Sequence, residues 1–132
     1  MKRFFYGILS MVLACAFAAC QDSSSLSVGE LKCEMLENPL AIDNTSPHFS
    51  WRMCGGQDGT VPAAYQILVA TMPDKLTEAD ADLWNTGKVM DGNSVGILYK
   101  GKPLASRSLA YWKVRVWNQN DEASDWSTPA LF

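Results

Sequence analysis

The stretch Tyr111-Trp112-Lys113-Val114-Arg115-Val116-Trp117 alternates between two kinds of side chain. Trp112, Val114 and Val116 fall on one face of an extended chain, because successive side chains of a β-strand point to opposite faces. The intervening basic residues and the two flanking rings fall on the other face. The pattern predicts a strand that covers a core on one side and faces outward, or toward a neighbouring domain, on the other.

Short apolar runs of the same kind recur along the chain, separated by Gly, Pro, Asn and Asp. They predict strands at Leu31–Leu36, His48–Met53, Tyr65–Ala70, Val95–Tyr99, Leu109–Trp117 and Trp126–Phe132, with a short edge strand near Leu83–Val89. About seven short strands in about a hundred residues indicate an all-β fold, an antiparallel β-sandwich of fibronectin type III or immunoglobulin-like kind. The chain lacks a Cys…Trp…Cys pattern of the antibody sort, which favours the fibronectin-like version. Trp51 is then the large inward residue of the second strand.

One segment has helical rather than strand periodicity. Leu76, Ala79 and Leu83 share one face of a helix around Asp74–Asp82, which predicts a turn or two of helix inside a connection. The whole chain has 132 residues, of which 48% are hydrophobic and 19% are charged. This composition is that of one globular domain.

The N-terminus reads as an export signal. Lys2 and Arg3 precede an apolar run, Phe4–Ala19, which ends in small residues and is followed by Cys20. Small residues before a cysteine resemble the lipobox of bacterial lipoproteins, so we expect residues 1–19 to be removed and Cys20 to be lipidated. Two alternatives stay open, cleavage after Ala18 without lipidation, and lipidation at the poorer candidate Cys15.

This signal defines the predicted organisation and location. Residues 20–27 form a Ser-rich polar tether and residues 28–132 the sandwich. We expect an exported, membrane-anchored lipoprotein of the bacterial cell envelope, periplasmic or at the cell surface, or a secreted protein if Cys20 is not lipidated. The mature chain keeps nine basic and fourteen acidic residues. An acidic surface without basic clusters excludes nucleic acid as a partner.

Candidate chemistry is sparse. With His48 as the single histidine, the sequence predicts no metal site, no cofactor site and no Ser-His-Asp triad. The acidic residues Glu78, Asp80 and Asp82 lie in a polar connection, where they indicate a solvated surface rather than a catalytic pair. No catalytic residue is assigned.

Two cysteines of the mature chain come from neighbouring strands. A hairpin centred near Asp43 brings Cys33 and Cys54 within a few residues of register, which permits a disulfide in an exported protein. Cys33 alone also suits a core position. Both interpretations stay open.

The aromatic residues also allow two interpretations. A final hairpin that turns at Asn120–Asp121 places Arg115 opposite Trp126, on the face that carries Trp117. A guanidinium on an indole forms a structural clasp. The alternative is that exposed rings form a platform for sugar stacking.

Five motifs in order carry a resemblance to a known family. They are CEMLENPLAID with SPHFSWR (residues 33–43 and 46–52), AYQILVA (64–70), ADLWNTGKV (81–89), YWKVRVW (111–117) and SDWS (124–127). Together they resemble the start of exported bacterial α-L-rhamnosidases, the family 78 glycoside hydrolases. Ala41, His48 and Asn85 depart from the usual glycine, arginine and aspartate.

The resemblance implies a non-catalytic N-terminal fibronectin type III or immunoglobulin-like domain. In that family, further β-domains and an α/α-barrel with the catalytic acids follow, and no residue here matches one of those acids. We therefore expect an accessory module that is not an enzyme by itself, a fragment of or truncated from a rhamnosidase. Its partners are then the rest of that protein or another envelope protein, and the membrane through its lipid. The alternative is a stand-alone cell-surface module for adhesion or carbohydrate binding, with rhamnose-containing glycans as ligands.

Overall fold

The computed structural model describes residues 25–132 and contains two antiparallel sheets. The strands are β1 (Ser27–Cys33), β2 (His48–Cys54), β3 (Pro62–Ala70), β4 (Trp84–Asn85), β5 (Ile97–Leu98), β6 (Tyr111–Asn118) and β7 (Ala130–Leu131). The smaller sheet has the order β1-β2-β5 and the larger one β4-β3-β6-β7. The predicted β-sandwich is confirmed. The expected signal, Cys15 and Cys20 lie outside the described residues.

The two longest strands, β3 and β6, form the centre of the larger sheet. In β6, Trp112, Val114 and Val116 are buried and the residues between them are half-buried, as the alternation predicted. Opposite them on β3 lie apolar partners, including Ile67 across from Val114 and Val69 across from Trp112. These cross-strand pairs fix the register, because a slip by one residue would expose the whole apolar set.

Aromatic rings fill the space between the sheets. Phe49 of β2 stacks on Trp112 of β6, with ring centroids 4.3 Å apart and an interplanar angle of 24°. Tyr99 and Phe132 meet Phe49 edge-on, at 6.2 Å and 5.3 Å between centroids. Trp51 is 5% exposed, so its predicted inward position is confirmed. Aromatic pairs of this kind give a small sandwich most of its buried area.

Strand β1 ends earlier than the predicted Leu31–Leu36. Cys33 and Leu36 exchange both backbone hydrogen bonds at 2.9 Å, so a two-residue turn follows the strand directly. The turn residues Glu34 and Met35 have φ values of 51° and 63°. Two successive left-handed residues define a type I′ turn, which favours Asn-Gly. The sequence there gives no such signal.

Of the turn or two of helix predicted around Asp74–Asp82, only one turn forms, at the start of the segment. One turn of 3₁₀ helix spans Pro73–Lys75, and Leu76 after it is buried against β3. The hydroxyl of Thr77 then accepts a hydrogen bond from the amide of Asp80 at 3.0 Å. A threonine that bonds locally in this way competes with helix formation. The edge strand expected within Leu83–Val89 is present as β4.

The disulfide that the sequence permits does not form. Cys33 lies opposite Phe49, and Cys54 lies opposite Ser27 at the other end of the β1–β2 pair. Five residues along β2 correspond to roughly 17 Å, whereas a disulfide needs Cα atoms about 4.4–6.8 Å apart. Burial raises the pKa of the Cys33 thiol to about 12, with a smaller contribution from Glu34. Cys33 is therefore a core residue.

No helix within residues 25–132 is long and apolar enough to cross a membrane.

Candidate functional site

Two tryptophans and three basic residues form one row on the outer face of the larger sheet. The Cζ atom of Arg115 lies 4.5 Å from the ring centroid of Trp126 and 4.9 Å from that of Trp117. The Nζ atom of Lys113 lies 4.9 Å from the Trp126 centroid, and that of Lys88 lies 4.8 Å from the Trp117 centroid. We call these five residues the cation–indole ladder. It contains the pair Arg115 and Trp126, whose stabilising role stays a prediction.

Two serines hold the segment that carries Trp126. The Oγ atoms of Ser124 and Ser127 accept hydrogen bonds from the backbone amides of Val116 and Val114, both at 3.0 Å. Each serine also donates its own amide to the carbonyl of the same partner residue, at 2.8 and 2.9 Å. Both serines are buried. Their hydroxyls replace backbone carbonyls, so the chain pairs with β6 here although only Ala130–Leu131 of the predicted strand Trp126–Phe132 is regular.

The buried side-chain amide of Gln66 forms hydrogen bonds with Arg115. The Oε1 atom of Gln66, which is 5% exposed, accepts hydrogen bonds from Nε and Nη2 of Arg115 at 3.1 and 2.9 Å. Gln66 in turn donates to Oδ1 of Asn85 at 3.0 Å, and Asn85 donates to the carbonyl of Glu78 at 3.1 Å. The carboxylate of Glu78 pairs with Arg115 and closes the ring of contacts. An aspartate at position 85 would lack the donor that reaches Glu78.

The ladder has the properties of a structural element. Two cations contact each indole, and Trp126 also packs against the buried residues Leu68 and Leu76. Burial lowers the pKa of Lys113, and the neighbouring charge of Arg115 adds to this. Rings whose faces are in contact with protein side chains have little surface left for a sugar. The geometry favours the clasp over the platform.

The acidic residues of the connection have structural partners as well. Asp82 accepts hydrogen bonds from the amide and hydroxyl of Thr71, at 2.9 and 2.6 Å, and pairs with Lys75 at 3.3 Å. These bonds, that from the Thr71 hydroxyl first, lower the pKa of Asp82 to about 2. Asp80 accepts a hydrogen bond from Thr77 at 2.9 Å. Within residues 25–132, no three His, Cys, Asp or Glu side chains are grouped as metal ligands would be.

His48 is an exposed partner of the β1–β2 turn. Its backbone amide and its Nδ1 atom lie 2.7 and 3.1 Å from Oε1 of Glu34, which Asn44 also contacts at 3.1 Å. The hydrogen bond from the His48 amide is the main reason that the pKa of Glu34 is lowered. His48 therefore helps to hold Glu34 in its left-handed turn conformation.

One groove opens at the end of the sandwich where β2 and β6 begin and β7 ends. It encloses about 500 Å³, and we call it the pole groove. Its apolar side chains are Leu40, Ile42, Leu104, Leu109 and Phe132, and polar residues at positions 43–45 and 106–108 form the rest of its wall. Sequence reasoning missed it, because Leu40 and Leu104 lie in loops without any periodicity and Leu109 was assigned to the start of a strand, whereas β6 begins at Tyr111.

Comparison with known proteins adds an independent observation. Residues 28–132 match the sequence family described as "Rha78A-like, N-terminal immunoglobulin domain". The α-L-rhamnosidase of Formosa agariphila is 37% identical to this chain over 130 residues, which cover 95% of this chain and 14% of the relative.

Two solved structures contain a similar sandwich. The crystal structure of Streptomyces avermitilis α-L-rhamnosidase complexed with L-rhamnose matches with a TM-score of 0.77 and 36% identity, over 81% of this chain and 10% of that one. The α-L-rhamnosidase from Dictyoglumus thermophilum matches with a TM-score of 0.78 and 35% identity, over 85% of this chain and 13% of that one. The chain thus spans only 10–14% of the length of these relatives.

Proposed function

Because the chain belongs to the family of Rha78A-like N-terminal immunoglobulin domains, we propose that it is a non-catalytic accessory module of an α-L-rhamnosidase. One observation carries this proposal. The match extends over the complete sandwich, yet it accounts for 10–14% of the length of relatives that are named α-L-rhamnosidases. The reaction then takes place in the remaining part of such a protein, and this module packs against that part.

The surface chemistry supports an accessory role over a stand-alone carbohydrate-binding one. The strongly exposed large apolar residues among positions 25–132 are Met, Leu and Val side chains. Pockets for small ligands typically combine aromatic rings with a few converging polar groups. The tryptophan rings of this chain are instead packed in the core or contacted by the ladder cations.

Catalytic inactivity can be tested directly. We expect the purified module, residues 21–132, to release no 4-nitrophenol from 4-nitrophenyl α-L-rhamnoside above the buffer background. The intact Formosa agariphila relative serves as the positive control. Turnover above background would contradict the proposal. The triple variant Glu78→Gln, Asp80→Asn, Asp82→Asn would then show whether the acidic connection is responsible.

We further propose that the module is attached to a membrane through lipidated Cys20. The apolar run before a cysteine in the sequence supports this location. Cys20→Ser should release the protein, produced in a bacterial host, from the membrane fraction, and Cys15→Ser should not. Release by Cys15→Ser but not by Cys20→Ser would move the anchor to Cys15.

A further inference from the structure

We propose that the pole groove is the docking surface for the domain that follows this module in its rhamnosidase relatives. The inference rests on the proposed accessory function and assigns a surface to it. The expected occupant is a protein surface with an apolar centre that covers Leu40 and Leu109, and a carboxylate that faces Arg107.

The position of the last matched residue supports this occupant. Phe132 ends the family match, and its ring is a wall of the groove. Its backbone is fixed, because Phe132 and Ala110 exchange both amide–carbonyl hydrogen bonds at 2.9 Å. The family is described as an N-terminal domain, and this chain spans only 10–14% of the length of its relatives. We infer that in those relatives the polypeptide continues beyond the position of Phe132, which brings the next domain to the side of the groove.

The side chains of the groove are arranged as in a protein interface. Leu40 is 86% exposed and Leu109 is 47% exposed, whereas Ile42 and Leu104 pack against the core beneath them. Polar residues at positions 43–45 and 106–108 line the same groove. Protein interfaces likewise combine apolar with polar side chains. When a neighbouring domain covers these leucines and removes them from water, the free energy of the protein is lowered.

The loop before β6 places a positive charge at the rim. Ser108 closes a turn by donating from its amide and its hydroxyl to the carbonyl of Ala105, at 3.3 and 2.6 Å. Arg107 inside this turn has a φ of 60°. Glycine is favoured at such a left-handed position. The guanidinium shares the groove with the carboxylate of Asp43, and we expect it to pair with a further carboxylate on the docked surface, since arginine and carboxylate pair with matching geometry.

A sugar is a less suitable occupant than a protein surface. The one ring in the wall, that of Phe132, is 6% exposed and belongs to the core. The groove therefore offers no aromatic face for stacking. Its leucines match apolar side chains better than hydroxyl groups.

The test measures binding of the module in trans. The probe is the Formosa agariphila α-L-rhamnosidase with its own N-terminal domain deleted, immobilised for interferometry with residues 21–132 in solution. Leu40→Asp and Leu109→Asp should each weaken binding, raising the Kd about tenfold or more. Met90→Asp is the matched control, because Met90 is 75% exposed and follows Val89, which pairs with Tyr65 on the half of β3 that is remote from the groove. It should leave the Kd unchanged.

Thermal unfolding of the isolated variants separates binding from folding. Since the Leu40 side chain is exposed to water, Leu40→Asp should have the same melting temperature as the parent module. Unchanged affinity of both leucine variants, or an equal loss with Met90→Asp, would overturn the assignment of the groove. Displacement of the module by L-rhamnose would overturn it in favour of a sugar subsite. A parent module that does not bind, and whose fusion to the deleted relative does not raise the melting temperature, would instead contradict the accessory function.

Discussion

Replacement of Trp126 by alanine should destabilise the isolated module without affecting any site for a partner. A buried Trp→Ala change costs about 3–5 kcal/mol, and Trp126 is only partly buried against Leu68 and Leu76. Two cation–indole contacts, with Arg115 and Lys113, contribute about 0.5–1 kcal/mol each. We therefore expect a loss of about 2–3 kcal/mol in the free energy of unfolding. For a domain of this size, this lowers the Tm by roughly 10 °C.

A double-mutant cycle isolates the clasp from simple packing. The cycle combines Trp126→Ala with Arg115→Met, which keeps the apolar stem of Arg115 and removes its charge. Urea unfolding of the four proteins should give a coupling free energy of about 0.5–1 kcal/mol. The control cycle uses Arg52→Met, since Arg52 lies on the smaller sheet and pairs with Glu30. Its combination with Trp126→Ala should be additive within about 0.3–0.5 kcal/mol.

Two results would refute this reasoning. Additive behaviour of Trp126→Ala and Arg115→Met would mean that the guanidinium and the indole do not interact in solution. A Tm that Trp126→Ala leaves unchanged would mean that the ring is not part of the folded structure, and would return the platform for sugars to consideration.

Three further predictions concern single contacts. Ser127→Ala should lower the free energy of unfolding in urea by about 1–3 kcal/mol, because it leaves the buried amide of Val114 without an acceptor. A loss below about 0.5 kcal/mol would mean that another group replaces the hydroxyl. Met35→Gly should stabilise the module by about 1 kcal/mol, since it relieves a left-handed residue with φ of 63°. The Sδ atom of Met35 accepts a hydrogen bond from the Ser50 hydroxyl at 4.0 Å, and a lower Tm would show that this contact outweighs the relief. Asp82→Asn should be less stable than the parent at neutral pH. The lowered pKa of Asp82, about 2 against a usual 3.8, means that the carboxylate stabilises the fold above pH 4 and that this contribution is lost as the pH falls toward 2; urea midpoints of the two proteins should thus converge over this range, and a constant difference would contradict the assignment.

Regular alternation made the centre of the fold predictable. Trp112, Val114 and Val116 have no other way to share a face than in a strand, and Phe49, Trp51 and Met53 of β2 follow the same logic. In β3 every residue from Ala64 to Ala70 is buried, so its signal was a short continuous run rather than alternation. The ends of the strands were less predictable. Glu34 and Met35 adopt a turn that their types do not favour, so the physical cause lies in the bonds that Glu34 makes to His48 and Asn44.

The candidate sites were likewise only partly predictable from the sequence. Counting across a hairpin was enough to place Arg115 near Trp126. It could not reveal that the hydroxyls of Ser124 and Ser127 accept hydrogen bonds from backbone amides of β6, because here two side chains take the place of backbone carbonyls. The pole groove was not predictable either. Loops from distant parts of the sequence form it, and only the folded chain shows that Leu40 remains exposed there.

We propose that this chain is a non-catalytic module that packs against, and thereby stabilises, the rest of a rhamnosidase. The most direct test replaces the part of the Streptomyces avermitilis α-L-rhamnosidase that matches this chain by residues 28–132. It measures the Tm and the KM for 4-nitrophenyl α-L-rhamnoside. We expect the hybrid to regain most of the Tm that deletion of the domain removes, with a KM equal to that of the intact enzyme. A hybrid that melts with the deleted enzyme would contradict the accessory role, and a changed KM would contradict a role separate from the substrate.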